Sequence, residues 1–119
     1  MSVAAVICEV RYRIDKMAID EFTAYAETWK RLIERYGGTH YGYFMSREAP
    51  AGAAMSFPQA GEDEANDIAV ALFSFPNDAA YLRYRDDVGK DADGIEANLR
   101  FRKSPPFISY QRLFLERLL

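Results

Sequence analysis

Histidine and cysteine are nearly missing from this chain: His40 and Cys8 are the only ones in 119 residues. A lone cysteine forms no internal disulfide, and a single thiol in an apolar stretch suits a reducing compartment. One histidine and one cysteine far apart cannot build a zinc site, and no His-x-x-x-His spacing occurs. No metal and no cofactor are therefore expected; haem would have to take His40 as its ligand. A glycine-rich phosphate loop is also lacking, because the glycines of "YGGTHYG" follow a helix pattern and open a strand. Ser/His/Asp catalysis has no local signature.

Long apolar runs are absent, and none approaches the roughly 20 residues that span a bilayer. The opening "MSVAAVICEVRYRI" takes on Glu9, Arg11 and Arg13 before a signal-peptide core could form. Charge of one sign is lacking too: 15 Lys and Arg stand against 18 Asp and Glu, a net −3. The basic residues are scattered, so no positive stripe replaces counterions on phosphate, and no nucleic-acid partner is expected. The expectation is a cytoplasmic protein without membrane insertion.

What the chain does have is aromatic bulk. Half of its residues are apolar, with eight Phe, eight Tyr and one Trp. The length suits a single domain, residues 1–119, and a chain this short gains by burying surface against a copy of itself.

Residues 3–14 alternate as a strand, with Ala4, Val6, Cys8, Val10, Tyr12 and Ile14 on one face. The other face changes from Val3, Ala5 and Ile7 to Glu9, Arg11 and Arg13. In "MAIDEFTAYAETWKRLIERYGG", Phe22, Tyr25, Ala26, Trp29, Leu32, Ile33 and Tyr36 share one helical stripe. Asp15 caps its start or the turn before it, and Gly37 and Gly38 end it. "THYGYFMSR" is a second strand; strict alternation puts Tyr41, Tyr43 and Met45 on one face and His40, Gly42 and Phe44 on the other. Residues 48–67, with Pro50, Gly52, Pro58, Gly61 and an acidic run, have no period and read as an inserted loop at about 49–67. That loop suits a lid, an arm on a partner, or a solvated excursion.

"IAVALFSF" is apolar on both faces, as in a central strand. Asn77 or Asp78 caps a helix with Ala80, Tyr81, Tyr84 and Val88 inward, broken at Gly89. "DADGIEANLRFRK" is a further helical piece, stopped by Ser104, Pro105 and Pro106. The last strand places Ile108, Tyr110, Arg112 and Phe114 on one face. Strand, helix, strand, strand, helix, strand is an α+β, ferredoxin-like βαββαβ unit with a four-stranded antiparallel sheet and helices on one face. The other face is left bare and partly apolar. A second subunit packed there gives a homodimer, the dimeric α+β barrel.

Two stretches, "GGTHYGYF" and "ANDIAVALFSFPNDAAYLRYR" followed by "DAD", resemble the small bacterial members of the NIPSNAP family. "VRYRI…DEF" and "SYQRLFLE" fit the same pattern, so the resemblance covers most of the chain outside the loop. The chain departs from that pattern at Lys16-Met17, where Pro-Gly is common, and at Asp91-Ala92, where Asp-Pro is common. Residues 49–64 look inserted. The resemblance implies the dimeric α+β barrel superfamily, which also holds cofactor-independent monooxygenases, haem-degrading enzymes and lactone isomerases. It implies a fold and little chemistry, since NIPSNAP proteins have no agreed reaction.

His40 reads first as a polar residue at a strand start, since no orienting partner lies nearby in sequence. Arg11 lies with Glu9 and Arg13 opposite the apolar row, and Tyr110 and Arg112 join them if the end strands pair with those faces together. Such a set binds a carboxylate or forms an interface salt-bridge network. The tyrosines and Trp29 read as core, or as the lining of a cavity for a flat aromatic molecule. Their buried hydroxyls need partners, for which His40 and Asn98 are candidates. Two functions follow. One is a homodimeric module for a small ligand or a protein partner, with Arg11, Tyr12, Tyr110 and Arg112 as ligand contacts. The other is a cofactor-independent monooxygenase for an aromatic or polyketide-like substrate, with His40 and Tyr43 handling protons and Arg11 fixing an acidic group.

Overall fold

Alternation near the N-terminus becomes strand β1, Val6–Arg13, whose Cys8, Val10 and Tyr12 are buried while Arg11 and Arg13 face solvent. The computed structural model describes residues 4–119, so Val3 lies outside the described residues and the strand is shorter than its apolar pattern. Asp15 accepts the Met17 N–H at 2.9 Å and caps a 3-10 turn, Lys16–Ala18, rather than the helix behind it. Helix α1, Ile19–Arg35, buries Phe22, Ala26, Leu32 and Ile33 along one stripe. It closes with the Gly38 N–H donating to the Ile33 carbonyl at 2.9 Å and Gly37 at φ +91°, the left-handed terminus that glycine takes without a side-chain clash.

Strand β2 is Thr39–Met45 and strand β3 is Ile68–Phe75. Between them, residues 46–67 hold neither helix nor strand, and 47–66 are exposed throughout. The base of this loop is tied to β1: Arg13 pairs with Asp67 at 3.1 Å and Arg11 approaches Glu64 at 3.9 Å. Helix α2, Asp78–Val88, is capped by Asn77, which accepts the Ala80 N–H at 2.8 Å. Helix α3, Ala92–Lys103, is capped by Asp91, and strand β4 is Ser109–Leu115.

The sheet runs β2-β3-β1-β4, antiparallel throughout, which is the ferredoxin-like order. Helices cover the face that carries Cys8, Val10, Tyr12, Ala69, Ala71, Phe73 and Phe75. The opposite face has no helix; it presents Ile7, Val70 and Leu72, with Phe44 54% and Leu113 53% exposed, around the charged Glu9 and Arg11.

Two face assignments change. Strict alternation in β2 fails because its pairing with β3 shifts between His40, opposite Phe73, and Gly42, opposite Leu72. The extra residue is a β-bulge, and Gly42 at φ +119° supplies a conformation that side-chain-bearing residues rarely adopt. The bulge puts His40 and Tyr43 on the same, helix-covered side. In the β1–β4 pair, Tyr110 stands opposite Tyr12 and Arg112 opposite Val10. Tyr110 and Arg112 thus point to the helix side, and Arg11, opposite Gln111, lies on the other face.

Candidate functional site

Tyr12 is the centre around which the helix side is built. Its ring lies 5.2 Å from Phe107, 5.3 Å from Phe22 and 5.6 Å from Tyr25, centroid to centroid. The Phe22 and Tyr25 pairs are edge-to-face, an arrangement that adds about 0.5–1.5 kcal/mol per pair beyond area burial. The Tyr12 and Tyr25 hydroxyls are 3.0 Å apart and satisfy each other, so neither His40 nor Asn98 is their partner. Burial raises the Tyr12 and Tyr43 phenols well above the ordinary tyrosine value. They are neutral hydrogen-bond donors, not bases.

Beside this cluster the layers of sheet and helix part over the middle of β4, which α2 meets only further along, through Tyr81 on Phe114 at 5.3 Å. Tyr110 is 61% exposed as a result. The gap is a cavity of about 510 Å³, within the range of small-molecule sites. Of its 18 lining residues ten are aromatic, among them Tyr12, Tyr25, Trp29, Tyr43 and Tyr110. Cys8 lies at its sheet wall and Asn98 on its helix wall, with Arg85, Arg102 and Arg112 also in the lining. Desolvation pushes the Cys8 thiol up to about 11, against the fields of Arg112 and Arg85, so it is an inert wall group. The indole Nε1 of Trp29 is buried with no hydrogen-bond acceptor.

The sequence-derived candidates divide accordingly. Tyr12, Tyr43, Tyr110 and Arg112 line the cavity. Arg11 does not; it is on the far face, held by Glu9 at 2.6 Å within the same chain. His40 is not in the lining either. Its ring stacks on Tyr43 at 4.9 Å and 17°, and its Nδ1 accepts the Gly42 N–H at 2.9 Å. Desolvation, with Lys30 adding to it and Glu34 opposing, lowers its pKa to about 4. A neutral imidazole with one nitrogen taken and Nε2 buried without a partner supports Tyr43 from behind. Arg85 and Arg102 were not among the sequence candidates, since each sits on a helix where isolated arginines are normally solvated. Only the closing of α2 and α3 over the sheet brings them to one opening. Among the described residues no cluster of His, Cys, Asp and Glu has metal-binding geometry, and no helix is long and apolar enough to cross a membrane.

The NIPSNAP family model matches residues 8–117. The chain belongs to the NIPSNAP family. No curated protein matches this NIPSNAP chain by sequence. Among solved structures it is similar to a NIPSNAP family protein of Agrobacterium tumefaciens, with 13% identity, coverage of 98% of this chain and 89% of that one, and a TM-score of 0.68. A NIPSNAP-like domain protein of Burkholderia xenovorans is 18% identical over 97% and 86% of the two chains, with a TM-score of 0.65. SnoaB, a cofactor-independent oxygenase from Streptomyces nogalater, is 10% identical over 98% and 96%, with a TM-score of 0.59. At these identities the likeness is one of fold.

Proposed function

We propose that this NIPSNAP protein is a cytoplasmic homodimer, one domain with an inserted loop at 49–67, that binds a small aromatic ligand between its sheet and its helices. The observation that carries the reading is the cavity: about 510 Å³, with an aromatic floor and a few polar groups at its rim. Dimerisation is supported by the uncovered sheet face, on which Phe44 and Leu113 are exposed. The test is native mass spectrometry of the protein as purified, beside its denatured mass. A dimer carrying extra non-covalent mass is the expected result; a monomer at micromolar concentration removes the dimer, and repeated failure to retain any ligand weighs for a protein-interaction module.

A second reading, a cofactor-independent monooxygenase, draws on the likeness to SnoaB and on the same aromatic cavity. It requires a proton acceptor; of the two residues the sequence offered, Tyr43 lines the cavity as a neutral donor, and His40, neutral but outside the lining, is the one base. Oxygen uptake with a hydroxylated polycyclic aromatic substrate, abolished in His40→Ala, would support this reading over simple binding.

A further inference from the structure

The cavity has a charge of its own. Its lining holds Arg85 of α2, Arg102 of α3 and Arg112 of β4, and not one aspartate or glutamate. This is the reverse of the chain as a whole, which has 18 acidic against 15 basic residues. Unpaired arginines on an open surface are ordinary. Three of them, from three separate elements, on one aromatic cavity are a different matter.

None of the three makes a hydrogen bond or ion pair through its side chain among the described residues. Three other arginines are paired: Arg11 with Glu9, Arg13 with Asp67, and Arg35 with Asp91 and Asp93. Arg112 instead rests its guanidinium 4.7 Å from the centre of the Phe114 ring, which orients the fork and leaves its N–H groups free. Arg112 stands on the sheet side of the cavity with Cys8, and Arg85 and Arg102 come from the helices, so the three enter one cavity from two layers. A buried indole donor on Trp29, also without an acceptor, adds a further unmet demand for ligand oxygen.

From this arrangement we infer that the ligand is an anion, a planar aromatic carboxylate whose rings lie on the tyrosine floor and whose acidic group is held by Arg85, Arg102 and Arg112. The inference rests on the cavity being a ligand site and specifies what enters it. A guanidinium fork meets a carboxylate bidentately, and three forks around one opening add their attraction. The volume admits about two or three fused rings.

The test uses matched pairs in calorimetry on the full chain: 2-naphthoate against 2-naphthalenemethanol, and anthracene-9-carboxylate against 9-anthracenemethanol. Each acid is expected to bind about tenfold or more tightly than its alcohol, and the preference should shrink as salt rises. Arg112→Gln, Arg85→Gln and Arg102→Gln should each remove much of that preference, while Arg11→Gln on the opposite face should leave it intact. These side chains are exposed, so the variants should fold, and circular dichroism checks that they do. Alcohols binding as well as acids would leave the cavity a ligand site and overturn the anion assignment. So would an acid preference that survives the triple variant. Binding of neither series would overturn both readings.

Discussion

His40 is the residue whose environment contradicts its usual role. Stacked on Tyr43 and accepting from Gly42, it is neutral in the folded protein, with a pKa of about 4. In the unfolded chain it titrates near 6.5. Between these values the unfolded state binds more protons, so stability is intact above pH 6.5 and falls as the pH drops towards 4. The contribution is roughly 1–2 kcal/mol once screening of a partly exposed ring is allowed for. His40→Phe keeps the stack and removes the titration; urea denaturation at a series of pH values should show a shallower acid slope, with about 1 kcal/mol lost at neutral pH from the abandoned Gly42 donor. Cys8 gives a parallel prediction. It is 2% exposed and its pKa is about 11, so iodoacetamide at pH 8 should modify it at least a hundredfold more slowly than a free thiol, and full reactivity should return in denaturant.

At the scale of elements, two turns make opposite demands. Gly42 holds the β2 bulge at φ +119°, so Gly42→Ala should cost about 1–3 kcal/mol through backbone strain. No close contact adds to that cost, since an added Cβ meets only the Phe44 ring at 3.4 Å. At the start of α3 the geometry is permissive. Asp91 is extended at φ −76°, ψ 135°, its carboxylate takes the Asp93 and Gly94 N–H groups, and Ala92 is the first helical residue. Proline fits that position, and Ala92→Pro should stabilise by about 0.4–1 kcal/mol by restricting the unfolded chain; the same denaturation series measures both variants. Asp91 itself must stay: bonds from Tyr36 and Arg35 hold its carboxyl far below the ordinary range and tie the end of α1 to the start of α3.

The elements were legible because each repeats its apolar residues with its own period, and the stops at Gly37 and Pro105 are local chemistry. Face assignments were less so. Gly42 in a strand marks a place where a bulge can occur, but which residue is skipped depends on pairing with β3, which is over 20 positions away in sequence. The same holds for Arg112. Whether even positions of β4 meet even or odd positions of β1 is fixed by tertiary register, and a shift of one residue would have put it beside Arg11. The cavity was legible only as an inventory of aromatics, since no period in the sequence marks where two layers fail to meet.

For the molecule as a whole, the extents of 48 × 45 × 17 Å describe one helical layer on one sheet. The uncovered sheet face is what dimerisation would bury. Phe44 and Leu113 are more than half exposed on it and support no core of their own. Phe44→Asp with Leu113→Asp should leave the circular dichroism spectrum unchanged and, in light scattering at micromolar concentration, reduce the mass from twice 13.6 kDa to 13.6 kDa. A wild-type protein already at the lower mass would remove the barrel.

An arginine-lined opening on a net negative protein would also shape the kinetics of capture. Beyond a Debye length, about 10 Å at 0.1 M salt, the repulsion of the whole molecule is largely screened. Inside that distance an approaching anion meets the guanidinium groups. Added salt would therefore slow arrival and quicken departure together, and residence time would shorten as ionic strength rises.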